Sequence, residues 1–128
     1  MTRKNDGLFS EDLTYKIRGA VYEVYKELGS GFLESVYEKA LMIELARIGL
    51  QAEHQVPLTV TYKDQPVGKF LSDIVVEQTV IVELKAQAHI NMAMCKAQLV
   101  NYLKASGLKV GLLVNFTFPK ARIERIVV

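Results

Sequence analysis

At 128 residues the chain is long enough to bury a real core, and it reads as one domain over residues 1–128 with 1–9 a flexible N-terminus. Half of the residues are hydrophobic and 23% are charged, and no apolar run approaches the roughly 18 residues that span a bilayer, so a membrane partner is not expected. A net charge of +2 permits nucleic-acid binding without arguing for it, and a single cysteine, Cys95, excludes an internal disulfide and a cysteine metal cluster.

Helical signals come first along the chain. Ser10 reads as an N-cap with Glu11 and Asp12 in the first turn, and Leu13, Ile17, Val21, Val24 and Leu28 follow helical spacing up to Gly29. Gly29-Ser30-Gly31 is a turn, with Gly31 supplying a conformation that needs no Cβ. A second helix spans about 33–48, with Val36, Tyr37, Ala40, Leu41 and Leu45 apolar and Gly49 closing it. Strands follow over 55–62, 67–76 and 80–86, the first two joined by a turn at Lys63-Asp64-Gln65-Pro66. A third helix covers about 91–105, with Cys95 in a packing position near Met92, Met94 and Leu99. The apolar run 108–117 reads as a buried strand, Pro119 breaks it, and 122–128 forms a last strand at a sheet edge. The order is α-α-β-β-β-α-β-β. Met1 to Gly7 has no apolar core, so a signal peptide is not expected, and the lone cysteine fits a reducing cytoplasm.

Chemistry concentrates between Leu71 and Lys85, where Asp73, Glu83 and Lys85 lie in two apolar strand segments joined by a short polar turn. Unpaired charge in such strands is costly to bury. A three-residue loop, Glu77 to Thr79, pairs Val76 with Val80 and Ile74 with Val82. It sets Asp73 opposite Glu83, with Cβ atoms roughly 4.5–5.5 Å apart. Lys85 then shares their face, together with Val75 and Ile81. A two-residue loop instead sets Asp73 opposite Leu84 and splits the group unless a bulge restores it. A divalent metal held by two carboxylates beside a lysine accounts for the cluster. So does a salt bridge on a solvated sheet face, although Val75 and Ile81 argue against such a face.

The order α-β-β-β-α-β, with Asp73 on the second strand and Glu83-Leu84-Lys85 on the third, is similar to the core of the PD-(D/E)xK nuclease superfamily. The run Gly31-Phe32-Leu33-Glu34-Ser35-Val36-Tyr37 resembles the Gly-x-x-Glu-x-x-Tyr signature of the GxxExxY family within it, and Gln98-Leu99-Val100-Asn101-Tyr102 resembles the Gln-x-x-x-Tyr motif of its RecB-like branch. One departure is that Ser72 stands where the superfamily's name has Pro. The resemblance implies an α/β fold in the α+β arrangement, a restriction-endonuclease-like αβββαβ core whose mixed central sheet is flanked by helices.

The resemblance also implies a Mg²⁺-dependent nuclease, with Mn²⁺ able to substitute, that hydrolyses phosphodiester bonds in nucleic acid and above all DNA. Asp73 and Glu83 would be the main metal ligands, the Leu84 carbonyl a third, and Glu34 would approach the ion directly or through water. Lys85 would orient or deprotonate the attacking water, or steady the phosphate charge. Gln98 and Tyr102, at i and i+4 on one helix face, would orient the lysine, a water or a phosphate. Each has a plainer alternative: Glu34 as a dipole partner at a helix N-terminus, Tyr37 as a core tyrosine, Gln98 as solvent-facing. His89, close after the third strand, could touch substrate, with a solvated loop histidine as its plainer alternative, and His54 is less suggestive still. Lys16, Arg18, Lys96, Lys104, Lys109, Lys120, Arg122 and Arg125 are candidates for a phosphate track, with scattered solvated cations as the default. A catalytically silent binding or assembly module of the same fold is the alternative function. A structural ion-pair network without a nucleic-acid partner is a third. Phe116, Phe118 and the apolar tail offer a surface for a homodimer.

Overall fold

The computed structural model describes residues 6–128, with side chains from Glu11 onward. Helix α1 runs Asp6–Leu28. It begins ahead of the N-cap expected at Ser10, because serine in a helix interior costs only a few tenths of a kcal/mol and cannot by itself stop backward growth. The stretch 1–9 read as flexible is therefore helical from Asp6, and residues 1–5 lie outside the described part.

Helix α2 runs Glu34–Arg47. The turn before it passes through Gly31 at φ 107, a backbone region that favours glycine. Tyr37, fully buried, holds this turn: its hydroxyl donates to the Gly29 carbonyl and accepts from the Phe32 N–H at 3.3 Å. Its ring stacks on Phe116 with centroids 4.3 Å apart. Tyr37 is thus the packed core tyrosine of the two readings, and it fixes where α2, and so Glu34, begins.

Five strands form one sheet in the order β1 (Ala52–Tyr62), β2 (Gln65–Val76), β3 (Val80–Lys85), β4 (Val110–Phe116) and β5 (Ala121–Val127). Only β3 and β4 pair in parallel, and helix α3 (Met92–Ser106) makes the crossover between them. The other pairs are antiparallel, so the sheet is mixed, as expected, and β5 lies at its edge. Among the described residues no helix is long and apolar enough to cross a membrane.

The sheet has a core on each side. Leu13, Ile17, Val21, Leu41 and Leu45 of α1 and α2 pack on Ile74, Val76, Val80, Val82, Leu112 and Val114. Leu99 and Leu103 of α3 pack on Val75, Ile81 and Leu113, with Cys95 joining them. The alternation along β2 and β3 is the period of two that buries both faces of central strands. Glycine at 111 is required by this packing: a Cβ there would lie 2.9 Å from Cδ1 of Leu99, which is fully buried and has little room to yield. Gly111→Ala is expected to cost about 1–3 kcal/mol, the usual range for overpacking. Chemical denaturation of the variant measures it, and an unchanged midpoint would mean Leu99 moves freely.

The β1–β2 hairpin changes sides. Ala52 packs in the α1/α2 core, whereas Val56 and Leu58 pack against α3, although all three share the parity that should keep them on one face. On β2, Ile74 and Val76 face α1/α2, whereas Phe70 stacks on Tyr102 of α3 with centroids 3.9 Å apart. The switch falls at Gln55 and its neighbour Asp73. Gln55 has φ 54 and is skipped by the pairing, which runs His54 with Ile74 and Val56 with Ser72.

Candidate active site

The three-residue loop is the one that forms. Glu77 and Gln78 both take left-handed φ, 52 and 51, and the Thr79 N–H closes back on the Val76 carbonyl at 2.9 Å. The ladder then pairs Val76 with Val80, Val75 with Ile81 and Ile74 with Val82, and ends there. Beyond it the carboxylates bridge the two strands. The Leu84 N–H donates to Asp73 Oδ2 at 2.8 Å, and the Asp73 N–H donates to Glu83 Oε1 at 3.2 Å. The Ser72 hydroxyl, fully buried, donates to the same Glu83 oxygen at 3.0 Å. Asp73 and Glu83 are therefore brought together, and the serine that departs from the superfamily's proline supplies a donor that proline lacks.

The pair is electrostatically expensive. Burial pushes the Glu83 carboxyl up to about 8, and the charge of Asp73 adds to the rise. Asp73 is raised too, first by burial, against the lowering effect of the Leu84 N–H. Residues in a strand point their N–H and C=O the same way, so the Leu84 carbonyl also faces the side where the ladder has ended. An acidic, oxygen-only donor set of this kind suits a hard divalent cation.

Lys85 and Glu34 flank the pair. The Lys85 ammonium lowers the carboxyls of Asp73 and Glu34, yet among the described residues it forms no salt bridge. The ordinary ion pair expected as the plainer reading is not formed. Glu34 is raised by burial, with Lys85 opposing and Asp73 adding to the rise. It stands off on α2: among the described residues no three His, Cys, Asp or Glu side chains gather closely enough to hold one ion. From α3, Tyr102 is raised by burial and then by the charges of Glu83 and Asp73, so it lies toward the pair. Gln98, exposed, lines a groove with Tyr102, Phe70 and Lys104 between α3 and the β1–β2 hairpin.

Several contributors escaped the sequence reading. Glu38 adds negative charge at both Asp73 and Glu34. Its i+4 spacing from Glu34 was the available signal. His54, which the sequence offered little reason to single out, lies on β1 with Nδ1 3.3 Å from Glu38 Oε2. Gln55 donates to both Glu38 oxygens, at 2.9 and 3.2 Å. Asn115, buried beside Lys85 in the β3–β4 register, accepts from the Gln87 N–H at 3.1 Å and donates to its carbonyl at 2.9 Å, fixing how the chain leaves β3. No local pattern marks Gln55 or Asn115. His89 is exposed after β3. Two of the suggested track cations are engaged elsewhere, Lys16 with Asp12 at 3.5 Å and Lys96 with Glu124 at 2.7 Å.

Comparison with known proteins agrees with the fold. The family model described as the PD-(D/E)XK nuclease superfamily matches residues 11–126. Nucleases of that superfamily generally depend on a divalent metal and act on nucleic acid. No curated protein matches the chain. The crystal structure of SSO0001 is similar with a TM-score of 0.59 at 19% sequence identity, over 73% of this chain and 48% of that one. That likeness is one of fold, and this chain spans about half the length of SSO0001. Because the family match runs from α1 to β5 and takes in every strand of the sheet, the chain belongs to the PD-(D/E)XK nuclease superfamily.

Proposed function

We propose that the chain is a Mg²⁺-dependent nuclease of the GxxExxY type that hydrolyses phosphodiester bonds in DNA, with Mn²⁺ able to substitute. The observation that carries this reading is the Asp73–Glu83 pair: a half-buried and a buried carboxylate on adjacent strands, bridged by the Asp73 and Leu84 N–H groups where the ladder ends, with Lys85 two residues past Glu83. Asp73, Glu83 and the Leu84 carbonyl would hold the ion, and Glu34 would reach it through water. Bound there, a divalent ion supplies charge neutralisation at the phosphate and an acidified water.

The protein's own groups do the rest. Lys85, without a salt bridge among the described residues, offers its positive charge to the phosphate and its amine to the attacking water. Asn115 holds the segment after Lys85 in one direction. Gln98 and Tyr102 line a groove between α3 and the β1–β2 hairpin, where Lys104 and the amide of Asn101 would suit a phosphate backbone. Exposed Phe118 would serve a homodimer contact.

The test is a panel of supercoiled plasmid, labelled single- and double-stranded DNA, and RNA, each with Mg²⁺, Mn²⁺ or EDTA. Cleavage of DNA with either metal and none with EDTA is the expected result. A second reading, a nucleic-acid-binding module without turnover, is favoured by one observation: both carboxylates already have protein donors, and among the described residues no third acidic group closes on them. Purified protein that binds Mg²⁺ and cuts nothing in the panel would support that reading.

A further inference from the structure

We propose that Gln55 is a positioning residue for the carboxylate pair, acting through Glu38, so that a clamp between β1 and α2 sets where Asp73 stands. Its consequence for metal binding rests on the function proposed above. The placement of Asp73 does not.

Gln55 sits where a regular strand would face Asp73. Its φ of 54 is a left-handed conformation that a non-glycine residue adopts at a cost of order 1 kcal/mol or more, and such residues persist only where their surroundings hold them. What holds this one is visible. The side-chain amide donates to both oxygens of Glu38, whose side chain is only 16% exposed, and His54 contacts the same carboxylate. The clamp lies at the level where the hairpin crosses from one face of the sheet to the other. Releasing it would let β1 pair regularly through this position, and Asp73 on the neighbouring strand would follow the new pleat.

The clamp also fixes α2. Glu34 and Glu38 are one turn apart on one helix face, roughly 6 Å along the axis. Pinning Glu38 to β1 opposite Asp73 therefore sets the stand-off between Glu34 and the pair. That distance decides whether Glu34 meets a bound ion or the water around it.

Hydrogen exchange of the Leu84 amide, which donates to Asp73 Oδ2, reports the placement of Asp73 without any metal. Gln55→Gly keeps the left-handed backbone and removes the amide. Glu38→Ala removes the acceptor, and Glu38→Gln keeps an acceptor while losing the charge. Exchange of Leu84 is expected to speed up by about tenfold in Gln55→Gly and Glu38→Ala, with the β4 amide of Leu112 unchanged and Glu38→Gln close to wild type. Mn²⁺ affinity, read by electron paramagnetic resonance, is expected to fall by about 10–100-fold in Gln55→Gly, as for other residues that orient metal ligands. Unchanged Leu84 exchange in Gln55→Gly would overturn the proposal. So would equal acceleration at Leu84 and Leu112, which would mean a general loosening of the fold. Wild-type protein that binds no Mn²⁺ would sink the metal reading and leave the clamp to be decided by Leu84 exchange alone.

Discussion

Replacing Lys85 by alanine is expected to lower the cleavage rate by about a thousandfold, the size seen when a preorganised charge is removed from a transition state. The fold should survive. Lys85 is partly exposed and makes no salt bridge among the described residues, so truncation leaves no ion-pair partner unpaired there. Metal affinity should change little, because a lysine is not a ligand for a hard cation. The measurements are plasmid nicking, metal titration by calorimetry and a thermal melt on the same preparation. Cleavage that persists in Lys85→Ala would place the activity in a contaminant or at another site.

Asp73→Asn should show the opposite pattern, weaker metal binding with a more stable apo protein. Removing a charged oxygen ligand is expected to weaken Mg²⁺ binding by more than about 100-fold, beyond the range typical of residues that only orient ligands. Cleavage should be lost with it. Stability follows from the sign of the shift at Glu83, whose carboxyl in the folded protein is raised to about 8 from an ordinary value of 4.5. A folded-state value above the unfolded one means that the folded protein binds more protons between the two. Stability is then fully present below about pH 4.5 and is lost as pH rises toward about 8. Asparagine at 73 removes the neighbouring charge, can still accept from the Leu84 N–H, and can donate to Glu83. The apo variant should melt about 5 °C above wild type at pH 8, the shift expected from roughly 1 kcal/mol, and close to wild type at pH 4.5. Saturating Mg²⁺ should stabilise the wild type and not the variant. Melts at the two pH values, with and without metal, give all four comparisons. A variant less stable than wild type at pH 8 would show that Asp73 holds the strands together more than its charge strains them.

The hairpin register was legible in the sequence because it depends on neighbours. Apolar residues at a period of two on both sides of Glu77-Gln78-Thr79 admit few pairings, and the three-residue loop sets Asp73 against Glu83. The element order and the edge position of the last strand were legible for the same reason. Ser10 misled, because a capping residue inside a longer helical run is tolerated.

What surrounds the pair was decided by contacts between segments far apart in the chain. Ser72 at a position read as a neutral departure became a buried donor to Glu83 only when β2 and β3 were side by side. Asn115 reached Gln87 through the parallel pairing that α3 makes possible. Gln55 adopted a conformation its own residue type disfavours, because Glu38 on another element bonds its amide. Local preferences amount to tenths of a kcal/mol per residue, so a buried hydrogen bond or the desolvation of a carboxylate overrides them. The sequence alone determined the order of the elements and set the two carboxylates opposite each other on neighbouring strands. The tertiary structure decided what joins α2 to β1, because the bonds that bring His54 and Gln55 to Glu38 link segments that no local pattern connects.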